Sequence, residues 1–222
     1  MYRKRLRRVG VALVVIGLLD IAYTIYCIIS QISPLSGPSI FAVVGGFYLV
    51  KGNLRAANVV STFTALILMG LTSFFIFEIL LRPLDFWLTF LRISSQESVQ
   101  NIAIVLLVLG FLLWVYWELM SKAVTDARRQ AGISGYLPIV GLILGIVLSS
   151  GTTLMKFIPT RSETARLAIQ EAEEKYGSEY KYFVRHVSYA SGSALGKQVS
   201  ISLIRYNKDE IRDFNIELDW SD

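Results

Sequence analysis

The stretch "VGVALVVIGLLDIAYTIYCII", residues 9–29, runs twenty-one residues with one Asp, Glu, Lys or Arg, Asp20. A helix of that length rises about 30 Å, which is the thickness of bilayer hydrocarbon. The stretch therefore reads as a membrane span. Ahead of it, "MYRKRLRR" crowds Arg3, Lys4, Arg5, Arg7 and Arg8 into eight residues. Basic residues beside a span hold that end on the cytoplasmic side. The n-region also suits a signal peptide, but the apolar run is too long and no small-x-small cleavage site follows it. An uncleaved anchor is the expectation.

Four more apolar segments follow, at about 38–50, 56–81, 99–120 and 136–155. A crossing needs roughly 20 residues, so 38–50 is short, and its glycine pair Gly45–Gly46 weakens it as a helix. Charge decides its reading. If all five segments cross, Arg3, Lys4, Arg5, Arg7, Arg8, Lys51, Arg55, Lys122, Arg128 and Arg129 share one side, and the opposite short loops carry only Arg82 and Arg92. Removing the second crossing destroys that asymmetry. The expected topology is five spans, with residues 1–8 cytoplasmic and the C-terminal part outside, in a bacterial-type cell (inner) membrane.

Composition agrees. The chain is 222 residues long and 54% hydrophobic, too apolar for an ordinary soluble domain. From Arg161 onward it carries nine Lys and Arg against eleven Asp and Glu. The net charge of +5 thus belongs to the membrane-facing ends and suits topology and anionic lipid, not nucleic acid.

The C-terminal part reads as a small domain. Thr160 and Glu163 fit a T-x-x-E capping box opening a helix that Gly177 stops. Three strands are expected at 179–190, 197–206 and 211–220, separated by "SGSALG" (191–196) and "NKDE" (207–210). Simple alternation puts Val184, His186 and Ser188 on one face of the first strand, Val199, Ile201 and Leu203 on one face of the second, and Phe214, Ile216, Leu218 and Trp220 on one face of the third. The fold class expected is an α-helical polytopic membrane protein with five transmembrane helices (1–158) and a small C-terminal α+β domain (159–222), a helix followed by a three-stranded antiparallel meander. About sixty residues is near the lower limit for an independent core, so the sheet needs cover from the membrane part or a partner. Its open edge would invite strand addition.

Candidate residues are few. Asp20 lies eleven residues beyond Val9, roughly 16 Å into the bilayer. A carboxylate there costs about 2.5–3.5 kcal/mol on insertion scales. Tyr23 and Thr24, three and four residues on, share its face. Three readings stand: a protonated Asp20 hydrogen-bonded within the bundle, a contact with a partner protein, or a proton or ion site. Glu78 and Glu118 lie within a turn of span ends and read as structural. Gly141, Gly145 and Ser149 recur every fourth residue and form a helix-contact stripe. Between the third and fourth spans, "RPLDFWLTFLRISSQES" (82–98) places Leu84, Trp87, Leu88 and Leu91 at helical spacing, with Phe86 and Phe90 beside them. It reads as an interfacial segment, or as a groove for a lipid- or quinone-like ligand.

One cysteine, Cys27, and one histidine, His186, are too few for a Cys/His zinc site. No metal or cofactor is expected, and no G-x-S-x-G elbow, phosphate loop or H-E-x-x-H occurs. The expected function is a non-enzymatic accessory or assembly subunit of a membrane complex, docking a partner through its outer domain. Its other expected partners are the lipid bilayer and either a membrane protein or a second copy. The alternative is a small homo-oligomeric transporter or channel component using Asp20.

Overall fold

The computed structural model describes residues 2–31, 39–93, 95–192 and 196–220. Eight helices and three strands occur among them: α1 (Tyr2–Ile29), α2 (Ser39–Val50), α3 (Leu54–Leu81), α4 (Leu84–Ile93), α5 (Ser95–Leu119), α6 (Lys122–Gln130), α7 (Leu137–Thr160), α8 (Glu163–Tyr176), β1 (Lys181–Gly192), β2 (Gly196–Tyr206) and β3 (Ile211–Trp220). Four of the helices are long and apolar enough to cross a membrane: α1, α3, α7 and the Val99–Leu119 portion of α5. Helix α2 is apolar but only 12 residues long. At 1.5 Å per residue it rises about 18 Å, well short of a bilayer core.

The chain forms two compact units, Met1–Thr72 with Leu106–Val147, and Ser73–Val105 with Leu148–Asp222. In the first, α1 begins at Tyr2, so the basic residues 3–8 are its first turns. Helices α1 and α2 pack backbone to backbone. A Cβ added at Gly10 would lie 2.6 Å from the Gly46 carbonyl oxygen, and one at Gly46 would lie 2.7 Å from that of Gly10. Gly46 is thus a packing position, whatever it costs α2 in propensity. The pair is antiparallel, since Gly46 meets Gly10 while Gly52 lies beside Arg3. Gly52 has φ +77°, the left-handed turn that glycine adopts without strain. The Asn53 carboxamide oxygen then accepts from the Arg55 and Ala56 amides at 2.9 and 3.1 Å and opens α3. The core of this unit joins Leu6, Val9 and Leu13 to Leu49, Ala57, Val115, Leu119 and Val124.

In the second unit the sheet has the order β1-β2-β3, antiparallel throughout. The three strands fall within two residues of their expected bounds. The expected "NKDE" turn closes with the Asn207 amide donating to the Glu210 carbonyl oxygen at 3.0 Å. The Asn207 side-chain oxygen accepts from the Asp209 and Glu210 amides at 2.8 Å each, an Asx turn. Of the expected 191–196 loop, Ser191 and Gly192 end β1, Gly196 begins β2, and 193–195 lie outside the described residues.

Two sequence expectations are corrected here. The capping box at Thr160 and Glu163 does not form. Helix α7 continues through Thr160, whose hydroxyl donates to the Phe157 carbonyl oxygen at 2.7 Å. The cap of α8 is Ser162, which has the extended backbone a cap requires and accepts from the Ala165 amide at 3.3 Å. The second concerns β1. Val184 faces Leu203 and His186 faces Ser202, so Arg185 is a bulge. The extra residue reverses the alternation. Val184 and Val187, three apart, therefore point to one face, and His186 and Ser188 to the other.

Candidate functional site

Three places carry the residues with chemical potential. The first is α1. Its buried positions include Leu6, Gly10, Leu13, Gly17 and Cys27, a stripe at steps of three and four residues. Asp20 and Thr24, both half-buried, continue that stripe between Gly17 and Cys27. The Thr24 hydroxyl donates to the Asp20 backbone carbonyl oxygen at 2.8 Å. Tyr23, grouped with Asp20 by spacing, is exposed. The same economy recurs in other apolar helices. Ser61, Thr62, Thr72, Thr152 and Thr153 each donate to a carbonyl three or four residues back in their own helix. These hydroxyls are engaged with the backbone of their own helices.

The helix-contact stripe of α7 divides between the two units. Gly141 abuts the Thr62 carbonyl and Gly145 the Leu66 carbonyl of α3, so closely that neither site has room for a Cβ. The order of these contacts makes α7 run in the same direction as α3. Ser149 is buried in the second unit, and its hydroxyl has no hydrogen-bond partner among the described residues.

The second place gathers the basic end of the first unit. Arg5 pairs with Glu118 at 2.9 Å. Arg128 on α6 is 2% exposed, and its Nη2 donates to the Ala57 and Leu119 carbonyl oxygens at 2.8 and 3.2 Å. The guanidinium thereby ties α6 to the start of α3 and the end of α5. Burial pulls its pKa down to about 10, which leaves it cationic at neutral pH. The Asn58 amide donates to the Ser134 carbonyl oxygen at 3.2 Å beside it. Sequence reasoning counted Arg128 as one loop charge among ten. The signal it passed over was Val124 and Arg128, four apart on a segment otherwise polar, which is the spacing of a short helix with one buried face.

The third place is the sheet and its two coverings. One face packs Val184, Val187, Val199, Ile201, Leu203 and Ile216 against Ala165, Ala168 and Ala172 of α8, where small side chains let the helix approach closely. Helix α4 covers part of the other. Phe86 is 3% exposed and packs on Ile204 and Tyr206, with Trp87, Phe90, Phe183 and Ile211 around them. The Phe86 and Tyr206 rings meet edge to face, with centroids 5.4 Å apart. Lys181 forms an ion pair with Asp85 and holds its carboxyl below the usual carboxylate range. Burial, with Asp85 close behind, pushes the Tyr206 phenol up to about 12. Arg82 pairs with Glu78 at 2.5 Å and lies over the Phe86 and Trp87 rings, 5.5 Å from each centroid.

Sequence reasoning put Trp87, Phe86 and Phe90 with the neighbouring leucines as one interfacial surface. In the structure the helix has two different faces. The rings lie against the sheet, while Leu84, Leu88 and Leu91 are 75%, 71% and 46% exposed. Beyond the reach of α4 the same sheet face turns polar. His186, Ser202 and Asn215 form one cross-strand row, and Ser188, Ser200 and Glu217 the next. No group of three or more His, Cys, Asp or Glu that could hold a metal occurs among the described residues. Compared with known proteins, the chain matches no family model, no curated protein and no solved structure.

Proposed function

We propose that this is an integral membrane protein of five crossings that presents its C-terminal domain to a partner protein, as an accessory or assembly subunit of a membrane complex. The observation that carries the reading is the state of the sheet. The apolar side chains described on its two faces pack against helices α8 and α4 of the same chain, while β1 and β3 each pair with β2 alone among the described residues. An unpaired edge is a ready template for another chain's backbone.

The five-crossing topology is supported by contacts within the first unit. Gly52 beside Arg3, Glu118 paired with Arg5, and Arg128 bonded to Ala57 join three of the stretches that carry the basic residues of the expected inner side, which supports placing them at one end. The second segment therefore returns the chain to the end from which α1 started, although its helical part is short. On this reading that end is cytoplasmic, the outer domain follows α7, and the membrane is a cell (inner) membrane.

The test is purification of the full chain from native membranes in mild detergent. A photo-crosslinking residue replaces Glu217 on β3. A stoichiometric protein, crosslinked at 217 and identified by mass spectrometry, is the expected result. A clean monomer with no adduct would sink the proposal. The rival, a homo-oligomeric transporter, is favoured by one observation, the place of Asp20 on the packed stripe of α1. It requires that Asp20→Asn abolish ion flux in proteoliposomes while the oligomer stays assembled.

A further inference from the structure

We propose that α4 is a lipid-contacting helix that holds the C-terminal sheet against the outer surface of the bilayer. Leu84, Leu88 and Leu91 enter the headgroup–acyl boundary, and Phe86, Trp87 and Phe90 hold the sheet. The inference rests on the membrane reading above and adds a second partner, the lipid surface itself.

Five observations commit the leucine face to lipid. Helix α4 starts at Leu84, three residues after the membrane-length helix α3 ends at Leu81. It is thus tethered within about a turn of the level at which the chain leaves the hydrocarbon. Its exposed leucines stand at steps of four and three, so they form one stripe along the helix. Leu84 and Leu88 are both more than two-thirds exposed, although the opposite side of the same ten-residue helix is buried by protein. An amphipathic helix with that division lies in the interface plane.

The charges fit the same occupant. The acidic residue of α4, Asp85, is neutralised by Lys181, and Glu78 just before it by Arg82. Arg92 in the last turn is exposed. The segment therefore meets a lipid headgroup layer with its acids paired and a cation presented. The apolar surface also ends where α4 ends. The next rows of the sheet carry His186, Asn215, Ser188 and Glu217, side chains suited to water. With α4 as the spacer, the covered part of the sheet stands about one helix diameter, 10–12 Å, above the headgroup–acyl boundary that the leucines enter.

The experiment uses the full chain in liposomes of neutral and anionic phospholipid. Cys27→Ala removes the native thiol. Single cysteines then replace Leu88, Ile143 on α7, or Asp213 on β3, and each carries a nitroxide. Collision with oxygen and with a water-soluble nickel chelate reports depth. The expected result is Ile143 deep, Asp213 in water, and Leu88 oxygen-accessible but shielded from nickel, at the headgroup–acyl boundary. If Ile143 is deep and Leu88 is as open to nickel as Asp213, the lipid contact is wrong and the membrane reading stands. If Ile143 is itself open to nickel, both fail. Shielding of Leu88 from both reagents, with spin–spin broadening, would assign the face to a second copy and overturn the proposal. Leu84→Cys and Leu91→Cys repeat the measurement should Leu88→Cys fail to fold.

Discussion

Gly46→Ala adds one methyl group at the closest approach of α1 and α2. That Cβ would sit 2.7 Å from the Gly10 carbonyl oxygen and 3.0 Å from the Val14 amide nitrogen, whereas ordinary contact begins at 3.4 Å. The Val14 Cγ2 methyl, at 2.8 Å, could turn away, but the two backbone atoms cannot, so the helices must part by about 0.7 Å at that point. A gap of that size forfeits a quarter to a half of the dispersion attraction along the seam, and overpacking of this kind costs about 1–3 kcal/mol. Alanine also favours a helix over glycine by about 1 kcal/mol. The control removes that second effect. Gly110, on α5, has nothing within 4 Å of an added Cβ, so Gly110→Ala gains the propensity without the collision. Gly46→Ala should therefore be less stable than Gly110→Ala by about 1–3 kcal/mol. The measure is the unfolding midpoint in a denaturing-detergent titration, followed by far-ultraviolet circular dichroism. Adding Gly10→Ala to Gly46→Ala should cost less than the sum, because the first methyl group has already opened the seam. Equal shifts of the same sign for Gly46→Ala and Gly110→Ala would refute the backbone contact.

Phe86→Ala should destabilise the second unit by about 3–5 kcal/mol, since a nearly inaccessible ring leaves a cavity under Ile204 and Tyr206. Hydrogen exchange should show it as faster exchange of β2 and β3 amides, with the α1–α2 pair unchanged. Arg128→Ala leaves the Ala57 and Leu119 oxygens without the guanidinium. With charge-assisted bonds at about 1.5 kcal/mol each, the loss should be about 3 kcal/mol or more, and Arg128→Lys should recover only part of it in the same titration. The Tyr206 phenol, raised from 10.0 to about 12, favours the folded state only while neutral. Its contribution is fully present below pH 10 and is lost as pH rises through about 12. Absorbance at the phenolate band should show that late titration, and Tyr206→Phe should remove it; a Tyr206 that ionises with the exposed tyrosines would contradict its burial.

Much of the fold was legible because its determinants are local and repetitive. Long apolar runs identify α1, α3, α5 and α7 from hydropathy alone. Strict alternation locates β2 and β3 to the residue or nearly so. What escaped depends on pairs distant in sequence. The bulge at Arg185 is invisible to an alternation count, because Val184 and Val187 are both plausible inward residues. Gly46 looks like a weakness until Gly10 is placed opposite it. Helix α4 was recognised as amphipathic, but nothing in residues 82–98 says that its aromatic side meets Ile204 and Tyr206 more than a hundred residues later. Of the candidate residues, Gly141 and Gly145 could be read from spacing because small residues at steps of four have few other uses in an apolar helix. Arg128 could not, since a loop arginine and a buried one look alike in a charge count. Thr160 lost its cap because α7 runs farther than its hydropathy.

The Arg128 bonds also bear on the order of synthesis. The guanidinium reaches back 71 residues to Ala57 and 9 to Leu119. Helices α1 to α5 are therefore translated before the side chain that ties their ends. Without α6, the contacts that join those ends among the described residues are apolar ones and the Arg5–Glu118 pair. A chain stopped at residue 121 should insert yet stay loose at its basic end, and one extended through residue 130 should tighten. Protease resistance of released, truncated chains of the two lengths would register the step.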